Sequence, residues 1–431
     1  MHYDIVIVGG GAGGLELAAR LGRKLGAKAG KERVLLIDRS SFHIWKPTLH
    51  EVAAGTLDTH QEGLSYSILG RANHFSFLLG DLDAFDPVAK RLSLKPIIGE
   101  SGKVLVPERG VTFNWGVLAI GSGSNLFGTP GAEQAHLLER TEDAEVFHTR
   151  LLAAFMKASF STEKTMSVAI VGGGATGVEL SAELIEAHRE LLGSLGSEQR
   201  FRLDIAIVEA APRILGGLPE KISDQATVAL ERKGVRVHTG AKVVAVHADR
   251  LETSGGDIPA DLIVWAAGVK AAPTNAAYGL ETNKTNQFVV NDRLETSAPD
   301  VWALGDCAAA PWVGTEGKEG RIIPARAQAA HQQATYLAKA LIARLGQRRV
   351  DAPFVYRDFG SLLSLGENKG VGALMGGLGG PNFFVEGLIA KWAYISLHLD
   401  HHRAIMGTPK TIVLAMARLL QQRVAGRLKL H

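Results

Sequence analysis

The sequence predicts an α/β protein built on two Rossmann-like dinucleotide-binding units and closed by a C-terminal helical region that associates with a membrane. Three observations carry this prediction. A glycine-rich turn joins a strand to a helix at Gly9–Gly14, the same device recurs at Gly172–Gly177, and the tail is basic and amphipathic. Bulk composition agrees, since hydrophobic residues make up 46% of the 431 and charged ones 21%, the balance of a globular chain. Its 50 glycines gather in turns after apolar runs, which fits nucleotide sites rather than low complexity.

Tyr3–Gly14 organises the first unit. Ile5–Gly9 reads as a buried parallel strand running into a turn where Gly9, Gly11 and Gly14 fit G-x-G-x-x-G, and a helix starts at Leu15. The first glycine permits the tight turn, the second lets a pyrophosphate approach the backbone, and the third lets helix and strand pack closely. The phosphates then rest on free N–H groups at the positive end of the helix dipole. Val34–Asp38 is the second strand, and Asp38 lies 24 residues past Gly14, near the offset of about 20 expected of a carboxylate that holds ribose hydroxyls. In Arg39–Gly55, Pro47 predicts a loop without regular helix, folded over a bound cofactor or simply on the surface. His74–Leu79 and Lys90–Pro96 read as strands of a small sheet, and Val111–Gly121 as a strand ending in a tight turn.

Ser167–Gly177 repeats the opening device with Gly172, Gly174 and Gly177, and a helix continues from Val178. Leu203–Glu209 is the second strand of this unit and again ends in an acid; Val235–Thr239 and Asp261–Gly268 follow as strands. Two copies about 160 residues apart form an internal repeat and imply two dinucleotides. In Pro299–Ala308 an apolar strand ends in Gly-Asp beside a helix start, so Asp306 suits a ribityl hydroxyl or an N-cap. Ile323–Ala334 opens a long helix to about Leu345, on which Gln328 and Gln332 share one face. Their amides suit the carbonyl oxygens of a ring substrate, although a solvated helix face is the simpler reading.

The tail differs in character. Asn382–His402 sets Val385, Leu388, Ile389, Trp392, Ile395 and Leu399 at helical spacing, with Trp392 and Tyr394 as interfacial rings. Within Lys410–Leu430, Ile412, Val413, Met416, Leu419, Leu420 and Val424 share one sector, and Arg418, Gln421, Gln422 and Lys429 lie opposite. Arg423 and Arg427 fall inside the apolar sector and must snorkel to headgroups. From Gly387 to His431 seven basic residues face one acid, Asp400, a net +6 in a chain of +3, so the remainder sums to −3. This pattern predicts an anionic membrane surface as partner, with a dimerisation or core-packing face as the alternative, and gives no case for nucleic acid. No run of 18 uncharged apolar residues is present, so no spanning helix is expected. The first strand begins almost at once, which predicts no signal peptide and an intracellular protein. A single cysteine, Cys307, excludes an internal disulfide framework, a Cys-x-x-Cys pair and a multi-cysteine metal site, and no metal is expected.

Seven stretches resemble the type II (single-subunit, non-proton-pumping) NADH:quinone oxidoreductases, bacterial type, along nearly the whole length: His43–Thr56, Val168–Leu184, Val264–Val269, Leu304–Ala308, Arg326–Gln332, Lys391–Ser396 and Arg427–His431. The resemblance implies non-covalent FAD in the first unit and transient NADH in a second unit inserted into it. The FAD parts would be 1–125 and 291–350, the NADH part 126–290 with its core at about 165–270, and the membrane-docking part 351–431. FAD contacts are implied at Gly9, Gly11, Ala12, Gly13, Gly14, Asp38, Arg39, Lys46, Gly121, Asp306 and Ala327. NADH contacts are implied at Gly172, Gly174, Thr176, Gly177, Glu209, Ala267 and Gly268. Glu209 would bond the adenosine ribose and repel a 2′-phosphate, while Arg213 offsets some of that repulsion. Ala327–Gln332 matches the family's A-Q-x-A-x-Q motif, which assigns Gln328 and Gln332 to the quinone pocket. Glu179 matches a carboxylate near the nicotinamide–flavin contact, with a role in charge or proton handling, and His331 is a second candidate proton donor.

The implied reaction is respiratory: hydride passes from NADH to FAD, then two electrons to a membrane quinone, without proton pumping, at the cytoplasmic face of the cell inner membrane. Removing roughly the last forty residues is expected to abolish membrane association and to spare NADH oxidation with a soluble acceptor. One competing reading is a flavin reductase with another acceptor, but sulfide and disulfide chemistry need a cysteine pair and protein-acceptor reductases have no use for such a tail. The other is a non-catalytic NADH-sensing membrane flavoprotein, against which both intact fingerprints argue. Oligomeric state is left open, a homodimer included.

Overall fold

The computed structural model describes residues 1–99, 101–314, 320–366, 370–374, 383–386 and 388–424, with the side chains of 370–394, 419 and 421–424 outside the description. His2–Val8, whose last four residues are buried, is central in the first sheet and covered on both faces, as a parallel strand must be. It pairs in parallel with Val34–Asp38 on one side and with the ten-residue strand Arg109–Leu118 on the other. Arg109–Leu118 changes partner along its length. Arg109–Thr112 pairs antiparallel with Arg91–Leu94, and Gly116–Leu118 pairs in parallel with Val301–Ala303. Ser76–Leu79 extends the edge beyond Val34–Asp38. The expected small sheet of His74–Leu79 and Lys90–Pro96 is therefore corrected: both strands join the main sheet. Arg91–Leu94 forms a local hairpin with Leu82–Asp86 but joins the main sheet through Arg109–Thr112, and Ser76–Leu79 joins it through a strand about forty residues earlier, pairings about which local pattern carries no information.

A second sheet of five parallel strands runs in the order His136–Leu137, Leu262–Trp265, Thr165–Val171, Arg202–Val208, Val235–His238. The chain enters this unit through Gly123–Ser124 and leaves through Val269–Lys270, which pair antiparallel with each other. Because Val301–Ala303 then returns to the first sheet, the second unit is an insertion into the first.

The repeat is conformational as well as sequential. Gly9 and Gly172 have φ of 104° and 108°, where a side chain is strained. A Cβ on Gly14 would sit 1.9 Å from the Gly9 carbonyl oxygen, and one on Gly177 would sit 2.1 Å from that of Gly172. Alanine at either third glycine would force helix and strand apart, at a cost of about 1–3 kcal/mol or more.

Two expectations about local structure are corrected. Arg39–Gly55 is not a loop: Lys46–Thr48 forms a 3₁₀ turn and Leu49–Ala54 an α-helix. Pro47 stands in the first turn, where its missing N–H has no helical acceptor to lose. After Asp306 no helix follows; Gly305–Cys307 is a single 3₁₀ turn leading into Ala308–Ala309, which pairs with Phe288–Val289. Asp306 is therefore not an N-cap.

Gly360–Ser364, Gly370–Leu374 and Phe383–Glu386 form an antiparallel sheet, and the helix Leu388–Met406 packs on it and on the helix Ala12–Leu25. Val385 is thus in a strand rather than in the expected helix. Trp392 and Tyr394 lie in the helix, but their side chains are outside the description, as are Arg423, the part of the tail from 425 onward with Arg427 and Lys429, and the side chains of Leu419, Gln421, Gln422 and Val424. Arg23 anchors the helix end, donating to the carbonyls of Ile405 at 2.9 Å and Ala404 at 2.7 Å. His398, His401 and His402 are buried against the first unit, where His401 Nε2 lies 2.9 Å from His43 Nε2 and the His398 ring 4.8 Å from that of Trp45. Thr408–Val424 forms the last helix. Among the described residues, no helix is long and apolar enough to cross a membrane.

Candidate active site

Each glycine turn is braced by the acid that ends the neighbouring strand. Asp38 Oδ2 accepts from the Gly10 N–H at 2.6 Å and its Oδ1 from that of Ser40 at 2.8 Å. Glu209 Oε2 accepts from the Gly173 N–H at 2.7 Å and its Oε1 from that of Ala211 at 2.8 Å. Burial pushes the Asp38 carboxyl above its usual range, while the two N–H donors oppose the shift. Arg39 is exposed beside it.

A phosphate needs room over the turn, and this is where both cradles are open. A Cβ built on Gly11 or Gly174 meets nothing within 4 Å, although both turns are otherwise closely packed. The first N–H groups of the helices Ala12–Leu25 and Ala175–Ser194 have no intrahelical acceptor and face those openings. Ala12, Gly13 and Gly14 begin the first helix, and Thr176 is exposed at the start of the second. The residues present therefore fit a dinucleotide in each cradle.

Around the first cradle, Lys46 Nζ donates to the Ser122 carbonyl at 2.8 Å, and Ser122 Oγ donates to Asp306 Oδ2 at 3.2 Å. Gly121, with φ of 71°, turns the chain there. A Cβ on Gly13 would meet Leu304 and Ala330, so the first helix abuts the helix Ala327–Leu345. At the second cradle a Cβ on Gly172 would meet Ala267 at 2.8 Å, and Gly268 adopts φ of 70°.

Gln328 and Gln332 are engaged with backbone. Gln328 Nε2 donates to the Gly360 carbonyl at 2.9 Å, and its Oε1 accepts from the Phe359 N–H at 3.2 Å. Gln332 Nε2 donates to the Arg357 carbonyl at 2.8 Å and its Oε1 accepts from the N–H of the same residue at 3.0 Å. His331 Nδ1 lies 2.7 Å from Glu16 Oε2, and this hydrogen bond raises the imidazole pKa.

Glu179 is buried one turn into the second cradle's helix. Its Oε1 accepts from the Ser364 N–H at 3.1 Å, and its Oε2 stands 3.7 Å from His50 Nδ1. Burial, with Glu51 and Glu183 nearby, pushes its carboxyl up to about 8. Burial and Glu183 push Glu51 up to about 8 as well. Sequence reasoning passed over His50, Glu51 and Glu183. The first two lie in the stretch read as a loop, which is also the family-like stretch His43–Thr56, but neither was given a role there.

The sole cysteine, Cys307, is buried, and burial pushes its thiol up to about 12, so it offers no nucleophilic thiolate. An insertion of one glycine-cradle unit into another is the architecture of a flavin reductase that uses a pyridine nucleotide. Residues 3–334 match the family described as pyridine nucleotide-disulphide oxidoreductase.

Within that class the chain belongs to the type II NADH:quinone oxidoreductases. It is 38% identical to the enzyme of that name from Haemophilus influenzae, over 99% of this chain and 100% of the relative. It is 30% identical to demethylphylloquinone reductase NdbB of Synechocystis, over 87% of each chain. Among solved structures it shares the fold of NDH2 from Plasmodium falciparum in complex with NADH, with a TM-score of 0.80, 18% identity and 99% of each chain covered.

Proposed function

We propose that the chain is the respiratory enzyme that oxidises NADH and reduces a membrane quinone, with FAD in the first cradle and NADH in the second. The observation that carries this reading is the pair of open, acid-braced cradles in a chain of this family. Bound FAD would supply the redox chemistry, accepting a hydride and giving up two electrons. The chain's own residues bind, orient and exclude water. Gly9–Gly14, with Asp38, Lys46, Gly121, Asp306 and Ala327, would hold the flavin nucleotide. Gly172–Gly177, with Glu209, Ala267 and Gly268, would hold NADH.

Glu209 favours NADH by repelling a 2′-phosphate. Arg213 offsets little of this, because its guanidinium already donates to the carbonyls of Leu215 at 3.5 Å and Gly216 at 3.0 Å. Gln328 and Gln332 fix the wall Arg357–Gly360 of the quinone pocket, and either amide would have to release backbone to meet a quinone carbonyl directly.

The last helix supplies the docking surface. Ile412, Val413, Met416 and Leu420 are 54%, 68%, 59% and 65% exposed, while Arg418 turns inward to pair with Glu62. An apolar face directed away from the body, carried on a basic tail, suits insertion into the headgroup boundary of an anionic membrane at its cytoplasmic face.

The test is anaerobic. NADH should bleach the flavin absorbance of the purified protein, and a short-chain quinone should restore it at catalytic speed. Bleaching without restoration would move the acceptor to another class, and failure to bleach flavin-loaded protein would end the enzyme reading.

A further inference from the structure

A line of hydrogen bonds runs from the first glycine cradle to the tail helix. The carbonyl of Gly10, inside the Gly9–Gly14 turn, accepts from Tyr66 Oη at 2.7 Å and lies 3.1 Å from His43 Nδ1. On the far side of that ring, His43 Nε2 lies 2.9 Å from Nε2 of His401, which belongs to the helix Leu388–Met406. Both imidazoles are buried.

Valence fixes the roles along this line. A carbonyl oxygen only accepts, so His43 must carry its proton on Nδ1. Burial favours neutral rings, lowering His43 to about 4 and His401 well below its ordinary value. A neutral ring protonated on Nδ1 has only a lone pair on Nε2, so the proton between the two rings belongs to His401. The pair therefore consists of opposite tautomers, with the tail as donor.

The line holds the orientation of one peptide group. The Gly10 N–H donates to Asp38 Oδ2 at 2.6 Å, and a Cβ on Gly10 would meet the Tyr66 ring at 2.6 Å, so this residue is gripped on several sides. Its carbonyl shares a planar trans peptide with the Gly11 N–H. Drawing the oxygen toward Tyr66 and His43 aims that N–H away from them. Gly11 is the open position of the cradle, and it caps the helix whose first N–H groups are free for a phosphate.

We propose that His401 is a positioning residue for the flavin. By orienting His43 it sets the Gly10–Gly11 peptide that receives the pyrophosphate of FAD, so the cradle holds its cofactor more tightly while the tail helix is seated. This deepens the assignment of FAD to the first cradle and rests on it.

The test follows the loss of FAD from flavin-loaded protein, read as the rise of free-flavin fluorescence after dilution, beside nitrogen NMR of histidine-labelled protein. In the parent, NMR should show His43 as the Nδ1–H tautomer, His401 as the Nε2–H tautomer, and a coupling between their Nε2 atoms across the hydrogen bond. His401→Leu should release FAD about tenfold faster, the usual scale for a lost buried hydrogen bond. His401→Gln places an amide N–H where Nε2–H stood and should bring the rate back to within about threefold of the parent. His43→Asn keeps the donor to Gly10 and discards the acceptor for His401, so adding His401→Leu to it should change nothing further. His402→Leu controls for general loosening of the tail. His402 is buried in the same helix outside this line, its Nδ1 2.9 Å from the His398 carbonyl oxygen. FAD release in that variant should stay within about twofold of the parent.

Release at the parent rate in His401→Leu, an equal acceleration in His402→Leu, or tautomers other than these in the parent overturns the proposal while leaving the FAD assignment standing. A parent that takes up no FAD brings down the assignment itself, and this proposal with it.

Discussion

Asp38 and Glu209 each spend both carboxylate oxygens on N–H groups of their own turns, so the two cradles keep their shape without a ligand. Replacing Glu209 with serine should raise the NADPH-to-NADH ratio of kcat/KM by about tenfold, worth about 1.4 kcal/mol, since the repelling charge is lost. Steady-state kinetics with both nucleotides checks this. Glu51 and Glu179 make a second, signed prediction. Their folded pKa values, about 8, lie above the ordinary carboxyl value, so between the two the folded state binds more protons than the unfolded one. Their contribution to stability is complete at low pH and is lost as pH rises through 8. Glu179→Gln should therefore flatten the decline of Tm between pH about 4.5 and 8, by about 2 °C or more. The two bracing acids were legible because their offset from a glycine turn is a matter of chain length. His50 and Glu51 were not, because their pairing with Glu179 depends on how two helices from different units cross.

The helices after the two glycine turns and Ala327–Leu345 were readable from spacing, whereas Leu49–Ala54 was hidden by Pro47, and none showed which face it buries. The tail helix Leu388–Met406 illustrates this: it reads as a membrane element, yet three of its histidines are buried against the first unit. Arg23 reaches its last carbonyls across more than three hundred residues of chain, a contact without any local signal. Arg23→Ala should loosen this end by about 1–3 kcal/mol, seen as faster amide exchange in Leu388–Met406 with the main sheet unchanged. The histidines give the same contact a pH dependence. Burial lowers His43 to about 4 and lowers His398, His401 and His402 as well. Their neutral forms favour docking, so this stability is complete above pH about 6.5 and is lost as pH falls toward 4. Exchange of the same amides, followed from neutral to acid pH, should accelerate over that interval. The resting position of Glu62 against Arg418 joins the last helix to the body by a similar non-local contact.

For the whole molecule, the buried histidines revise where the tail can be cut. Removing roughly forty residues would take most of Leu388–Met406 and uncover the first unit, so loss of activity would follow from damage to the fold. Ending the chain at Gly407 should keep NADH oxidation with a soluble acceptor and release the protein from membrane vesicles in a flotation assay. Retention on vesicles would place the docking surface elsewhere. The insertion also has a consequence for synthesis. Gly116–Leu118 takes its partner from Val301–Ala303, so the first sheet lacks a strand until that later segment leaves the ribosome. At about 5–20 residues per second this takes roughly 10–40 s, time enough for the inserted unit, whose five strands all lie within that interval, to fold. The enclosed half is finished first, and the half that was begun earlier closes around it.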